Sequence, residues 1–227
     1  MQEPESPLIK PPSSLANGHP IVAFAHPEQP TATGIDWLDE AVDRLRADGV
    51  MGAGHPTLAI VQNEASGSTL LVIVNRDSDD SATLRNRAAE AIALLRQHRQ
   101  HRCTVVLSSL DAFEAQLMTE GVLSANHAFV STGPARDSRH YLQTIDWVAD
   151  DPQNHIALAV RHAWLTSLAA LTARDLATEP ANILTPPAFV QHCREQAANA
   201  GFGLQVMDGK SIEAAGTKPF GFMKFTP

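Results

Sequence analysis

Apolar residues recur along this chain in two alternating rhythms. Short aliphatic runs of strand length occur at "IVAFA" (21–25), "TLAIVQ" (57–62), "TLLVIVN" (69–75), "CTVVLSS" (103–109), "AFVST" (128–132) and "TIDWVA" (144–149). Between them lie stretches in which apolar residues return every three or four positions, the repeat of one helix face. In "GIDWLDEAVDRLRADG" (34–49) that face carries Ile35, Leu38, Val42 and Leu45, and Gly49 closes the pattern. In "ATLRNRAAEAIALLRQH" (82–98) it carries Leu84, Ala88, Ala91, Ile92 and Leu95. A third helix is expected over "AFEAQLMTEGVLSAN" (112–126), broken at Gly121 because glycine is a poor interior helix residue. The runs at 57–62 and 69–75 flank "NEASGS", which predicts a hairpin; "TGPARD" predicts a further turn. Helices alternating with aliphatic strands predict an α/β fold, a mixed sheet flanked by helices, over residues 20–150.

A longer helical pattern occupies 150–177, with a stripe of Ile156, Val160, Trp164, Leu168 and Leu171, widened by Leu158 and Leu165. Asp151 is placed to cap it, and Pro152 fits its first position, where a missing N–H costs nothing. About 26 residues at 1.5 Å each make a rod of about 39 Å, long enough to connect two domains. "ATEPANILTPP" then interrupts the helix. Glu179 precedes Pro180 and is biased away from helical angles, and Thr185 followed by Pro186 starts the next helix. That helix, "PAFVQHCREQAANAG" (187–201), places Phe189, Cys193 and Ala197 on one face. "LQVMD" (204–208) reads as a strand and "GKSIEAAG" (209–216) as a short helix. The expected organisation is a flexible tail at 1–19, an α/β domain at 20–150, a connecting helix at 151–178 and an incomplete second α/β domain at 179–227.

Composition sharpens this picture in a few respects. The 227 residues are 44% hydrophobic but only 5% aromatic, so the expected core is aliphatic. The net charge of −8 argues against a nucleic-acid partner. The one dense basic run, "RQHRQHR" (96–102), suits the end of a helix, where positive charge meets the negative pole of the dipole. Cys103 and Cys193 are too few for a disulfide framework or a zinc cage and point to a reducing, cytoplasmic setting. No run approaches the ~20 apolar residues of a membrane span, and the Pro/Ser-rich start lacks the pattern of a secretory signal. No membrane partner is expected.

Candidate chemistry is sparse. Among ten histidines, His98 and His101 are three apart and His155 and His162 seven apart, without the carboxylates that accompany metal-binding helices. "GAGHPT" lacks the third glycine of a dinucleotide loop and leads into a strand, so it and "SGS" (66–68) read as turns. Ser108, Ser109 and Ser131 are not set in a nucleophile elbow. Lys210, Lys218 and Lys224 have no carboxylates beside them in sequence and read as solvated.

The most specific stretch is "ARDLATEPANILTPPAF" (173–189). Arg174, Leu176, Glu179, Pro180, Ala181, Asn182, Thr185 and Pro186 resemble a segment of the leucyl (cytosol) aminopeptidase family. A long helix before it, and a helix and "LQVMD" after it, match the order in which that family enters its catalytic domain. The likeness is strong over 150–216 and only architectural over 20–150. The resemblance implies a macro-domain-like first domain and a second domain holding two divalent metals (zinc, manganese or magnesium) that activate water against a peptide bond. It also implies peptide substrates and a homo-oligomer, commonly a hexamer. The family's metal ligands lie in later Lys-Gly-x-x-Phe-Asp and Asn-Thr-Asp-Ala-Glu-Gly-Arg segments, which do not occur among these 227 residues. No catalytic, metal or cofactor-binding residue is therefore assigned within the chain, and the chain alone is expected to be inactive. The alternatives are a non-catalytic binding or assembly module, including mixed oligomers with a full-length aminopeptidase, and a stand-alone hydrolase using Ser or His chemistry.

Overall fold

A computed structural model describes residues 7–15, 18–51, 54–63, 67–78, 80–127, 142–207 and 209–214. The strand expected at 128–132 and the "TGPARD" turn lie outside the described residues. The chain divides into two compact units, Met1–Asp175 and Leu176–Pro227.

The first unit is built on six strands: β1 (Ile9–Lys10), β2 (Ile21–Ala25), β3 (Thr57–Asn63), β4 (Gly67–Asn75), β5 (Arg102–Val106) and β6 (Thr144–Val148). Their order across the sheet is β1-β6-β5-β2-β4-β3. All neighbouring pairs are parallel except β3 with β4, which form the expected hairpin with Thr57 opposite Ile73 and Asn63 opposite Gly67. β2 lies between β4 and β5, and every residue of "IVAFA" is buried. A central strand covered on both faces needs such a continuous apolar run.

Helices α1 (Asp36–Ala47), α2 (Ser81–Gln97), α3 (Ala112–Asn126) and α4 (His155–Thr178) complete the layers. Val22, Phe24, Val72, Val74, Cys103 and Val105 face one core, shared with α2, α3 and the start of α4. Ile21, Ala23, Leu71, Ile73, Val106 and Val148 face the other, closed by Ile35 and by Leu38 and Val42 of α1. Strand residues alternate between the two cores because successive side chains point to opposite faces. Each fully buried Leu or Val side chain contributes about 1.5–3 kcal/mol relative to leaving it in water.

Several sequence expectations need correction. The Pro/Ser-rich start, read as a tail, supplies β1: Ile9 and Lys10 pair with Trp147 and Val148, and Lys10 Nζ meets Asp146 Oδ1 at 2.6 Å. The third helix is not broken at Gly121. α3 runs unbroken, and a Cβ there would stand 2.3 Å from the Arg85 carbonyl oxygen and 2.9 Å from Ala88 Cβ on α2. Glycine at this position lets two helices touch; it does not end one. β5 stops at Val106, because Leu107 and Leu110 turn the chain there through a Leu110 N–H bond to the Leu107 carbonyl at 2.9 Å.

The long helix begins at His155, not at Pro152. Asn154 adopts a left-handed φ of 58°, which halts a helix and which asparagine tolerates. Asp151 still caps from a distance, accepting the Ala157 N–H at 2.8 Å. The buried face of α4 is Ile156, Ala159, Val160, Ala163 and Ser167. Of the expected stripe Ile156 and Val160 are buried, while Leu158, Leu165 and Leu168 are exposed, Leu158 at 60%. Small residues thus make up most of the face that α4 turns to the core. By length and composition α4 is also apolar enough to cross a bilayer, which the sequence reading did not anticipate.

The second unit holds α5 (Pro186–Ala200) and α6 (Gly209–Ala214). Thr185 caps α5 through Ala188 N–H at 3.4 Å, Pro186 occupies its first position, and Gly201 ends it at a left-handed φ of 73°. Residues 204–207, expected as a strand, belong to no ladder among the described residues and lie exposed. A strand needs a neighbour, and this unit offers none among its described residues. Ala197 is the only buried apolar side chain described in it.

Candidate functional site

Open parallel sheets bind ligands beyond the carboxyl ends of their strands, where the strand order reverses. Here that place is the rim around the end of β2, flanked by the ends of β4 and β5. Several of its polar groups are paired with one another, while the buried Nε atoms of Arg76 and Arg87 have no partner among the described residues. Arg76, directly after β4, donates its backbone N–H to the Ala25 carbonyl at 3.1 Å and its Nη1 to Glu114 at 2.8 Å. Arg87 of α2 pairs with Asp77 and donates to the Asn75 carbonyl at 2.9 Å.

The N-termini of α2 and α3, the helices that follow β4 and β5, are closed by side chains, whereas α1 starts at Ile35 without a side-chain cap. Asp80 caps α2, accepting Thr83 N–H at 2.8 Å and Thr83 Oγ1 at 2.6 Å. These bonds hold its carboxyl below the ordinary value. Asp111 and Glu114 form a reciprocal capping box on α3, at 2.8 and 3.1 Å. An anion arriving here would meet carboxylates already bound to the N–H groups it needs.

The serines considered as nucleophiles serve the same rim. Ser109 Oγ donates to the Phe24 carbonyl at 2.8 Å, tying the β5 turn to β2. Ser108 Oγ accepts the Asp150 N–H at 3.0 Å, tying it to the end of β6. Neither meets a histidine. Ser131 lies outside the described residues, as do Lys218 and Lys224; Lys210 is exposed on α6.

The histidine pairs stay on the surface. His98 caps the end of α2, His101 precedes β5, and His155 and His162 are exposed on α4. Two other histidines do find carboxylates, which the sequence reading missed because their partners are distant in the chain. His55 Nδ1 stands 3.1 Å from Glu90 Oε2, and His127 Nε2 stands 2.7 Å from Asp175 Oδ1. Among the described residues no three His, Cys, Asp or Glu side chains converge to hold a metal. Residues that would hold the pair of divalent ions implied by the resemblance are therefore not assembled among them. Cys103 is buried, and burial, with the charge of Asp146, pushes its thiol up to about 12, so it packs as a small apolar group.

Two grooves border α4 within the first unit. One of about 270 Å³ runs beside Arg85, Glu120, Ser124 and Thr166. Its charges are consumed internally: Arg85 Nε donates to Glu120 at 2.6 Å, and Glu120 also accepts from Gln116 at 3.1 Å. A wider one of about 560 Å³ lies between residues 7–11 and the start of α4, with Lys10, Asp150, Asp151 and Arg161 on its walls.

The segment 173–189 has a defined local shape. Arg174 Nη1 donates to the Ser124 carbonyl at 3.4 Å, fastening α4 to the end of α3. In the second unit, Ile183 and Leu184 N–H groups both bond the Pro180 carbonyl, at 2.8 and 2.9 Å, making a tight turn. Asn182 is exposed on that turn, and Thr185 comes next as the cap of α5.

No family model matches the chain. A probable cytosol aminopeptidase of Oleidesulfovibrio alaskensis is 29% identical over 197 residues, covering 81% of this chain and 37% of that protein. One from Syntrophotalea carbinolica is 28% identical over 146 residues, covering 60% of the chain and 29% of its own length. Over these residues the chain is thus similar in sequence to part of the cytosol aminopeptidases. Two solved structures share its fold. A mutant of tomato leucine aminopeptidase matches with a TM-score of 0.64 over 95% of the chain at 16% identity, and the match covers 48% of that protein. The bottromycin maturation enzyme BotP matches with a TM-score of 0.63 over 88% of the chain at 22% identity.

The chain thus spans only about a third of the length of the aminopeptidases it matches in sequence. An alignment covering 81% of the chain also reaches well beyond 150–216. The likeness to aminopeptidases over 20–150 is therefore one of sequence as well as architecture, which corrects the narrower expectation.

Proposed function

We propose that these residues are the amino-terminal, non-catalytic portion of a leucyl-aminopeptidase-type metallopeptidase: a helix-flanked α/β domain, a connecting helix and the entrance to a peptidase domain. The observation that carries this reading is the alignment with cytosol aminopeptidases over most of the chain but a third of their length. On this reading the reaction of the complete architecture is release of amino-terminal residues from peptides in the cytoplasm, with two divalent metals supplying the activated water. The carboxylates that hold such ions belong to segments not found in residues 1–227. On this reading the chain's own contribution is structural: α4 and the 173–189 turn lead into the peptidase part.

The test is an assay of the purified 227-residue chain with a leucine anilide and added manganese or zinc. The expected result is no turnover above buffer. Turnover that is robust and abolished by a chelator would overturn the reading.

A second role, assembly with further aminopeptidase polypeptide in a homo- or mixed oligomer, is favoured by the exposed apolar side chains of the second unit. Phe189, Phe202, Leu204 and Val206 all face solvent. Apolar side chains left exposed in such numbers mark surfaces awaiting a partner.

A further inference from the structure

The two edges of the sheet are built differently. β1 is two residues long, ends in Lys10 and runs straight into Pro11 and Pro12. Short length, a lysine and prolines are the devices by which proteins close an edge to further pairing. β3, at the opposite edge, is preceded by Pro56 but carries none of them within its length. It is seven residues long, "TLAIVQN", without a charge or a proline. Seven residues at about 3.4 Å make an edge of about 24 Å. At its centre Ile60 is 73% exposed, on the same face as Leu58 and Gln62. No strand lies beyond it among the described residues.

We infer that β3 is a self-association edge: it pairs antiparallel with β3 of a second copy of this chain about a two-fold axis through Ile60. The sequence of the strand suits pairing with a copy of itself. A two-fold centred on residue 60 sets Thr57 opposite Asn63, Leu58 opposite Gln62, Ala59 opposite Val61 and Ile60 opposite its own mate. Every one of these pairs is neutral. In self-pairing a charged residue at the centre faces its own like charge, which is destabilising, and β3 is free of that conflict. Polar residues fall at both ends of the strand and apolar ones in the middle, so the pattern reads similarly in either direction. An isologous contact requires such self-complementarity. The two exposed isoleucines would cover each other as a directly opposed cross-strand pair. A seven-residue edge is a small interface, so the pair dissociates on dilution. This inference is independent of the aminopeptidase reading.

The test uses the full chain with Cys193→Ser, leaving the buried Cys103 in place. Ile60→Cys puts two thiols directly opposite each other, about 5 Å apart at Cβ, within disulfide reach. Gln62→Cys, on the same face, places its two thiols about 13 Å apart along the ladder, beyond that reach. Under mild oxidation Ile60→Cys is expected to give a cross-linked dimer and Gln62→Cys none. Equal cross-linking by both, or by neither, overturns the proposal. Sedimentation gives a second readout: Ile60→Lys is expected to abolish concentration-dependent dimerisation with an unchanged far-ultraviolet circular dichroism spectrum. A dimer that survives this substitution, or association only with an unrelated strand-forming peptide, also overturns it.

Discussion

Gly121 is the residue whose role differs most from its apparent one. In the sequence it interrupts an apolar helical pattern, yet the structure uses its missing side chain to bring α3 against the backbone of α2 at Arg85. Gly121→Ala improves intrinsic helix propensity by about 1 kcal/mol but drives a methyl group into a carbonyl oxygen. The clash wins, because neither a backbone carbonyl nor Ala88 can swing aside, and overpacking of this kind costs about 1–3 kcal/mol. Urea unfolding of the variant is expected to show a lower midpoint at an unchanged slope. Two carboxylates set a pH response at the same scale. For Asp43, burial alone would raise the pKa, but the bonds from Arg46 and from Thr31 N–H at 3.1 Å outweigh it and lower it. The Thr83 bonds lower that of Asp80. A carboxyl held lower in the folded than in the unfolded chain contributes stability that is present above its ordinary value of 3.8. That stability is lost as pH falls through the folded value. Denaturation midpoints from pH 7 to 3 are expected to fall most steeply below about pH 4, and less steeply in Asp43→Asn/Asp80→Asn.

Elements differ in how far local pattern determines them. β2, α1 and α2 were legible because their buried positions keep one period throughout, and their ends carry ordinary signals: Gly49 after α1, and the polar "SDD" before α2. α4 was legible as a helix but not in its orientation. Leucines form its most conspicuous stripe, yet close packing favoured Ala159, Ala163 and Ser167. Pattern alone ranks residues by size, whereas a core ranks them by fit. β1 was invisible for a different reason: two residues have no period, and their strand exists only because β6 offers an edge. Residues 204–207 show the converse, apolar alternation with no neighbour among the described residues to turn it into a ladder. The candidate site was legible only as a lack of motif. The mutual pairing of Arg76 with Glu114 and of Arg87 with Asp77 depends on long-range contacts that spacing does not encode. Elements with little buried apolar surface open most readily. Native-state hydrogen exchange is accordingly expected to protect the amides of β2, β4 and β5 most and those of 186–214 least; uniform protection across both regions would count against this account.

At the scale of the molecule, the two units differ in how their stability is supplied. The first unit has a core on each face of its sheet and ion pairs along its rim, Arg76 with Glu114 and Arg87 with Asp77. The second has one well-capped helix, α5, with an αL terminus and a tight proline turn before it, but almost no interior among its described residues. Good local signals with little burial are the mark of a segment whose stability comes from elsewhere, since helix propensity and caps alone rarely hold a short helix in water. On the proposed aminopeptidase reading this imbalance has a meaning. The inactivity expected of the isolated chain and the weak protection expected of residues 186–214 then have one cause.

The two-residue strand at the start of the fold has a practical bearing. Among the described residues Ile9 and Lys10 are all that pairs with the outer edge of β6, and Lys10 is the ionic partner of Asp146. Anyone shortening this polypeptide from its beginning, on the view that a proline- and serine-rich leader is dispensable, would strip that cover. The trimmed product would present a bare ladder, a carboxylate without its counter-ion and a fresh site for clumping, all through the loss of a stretch that looks like packaging.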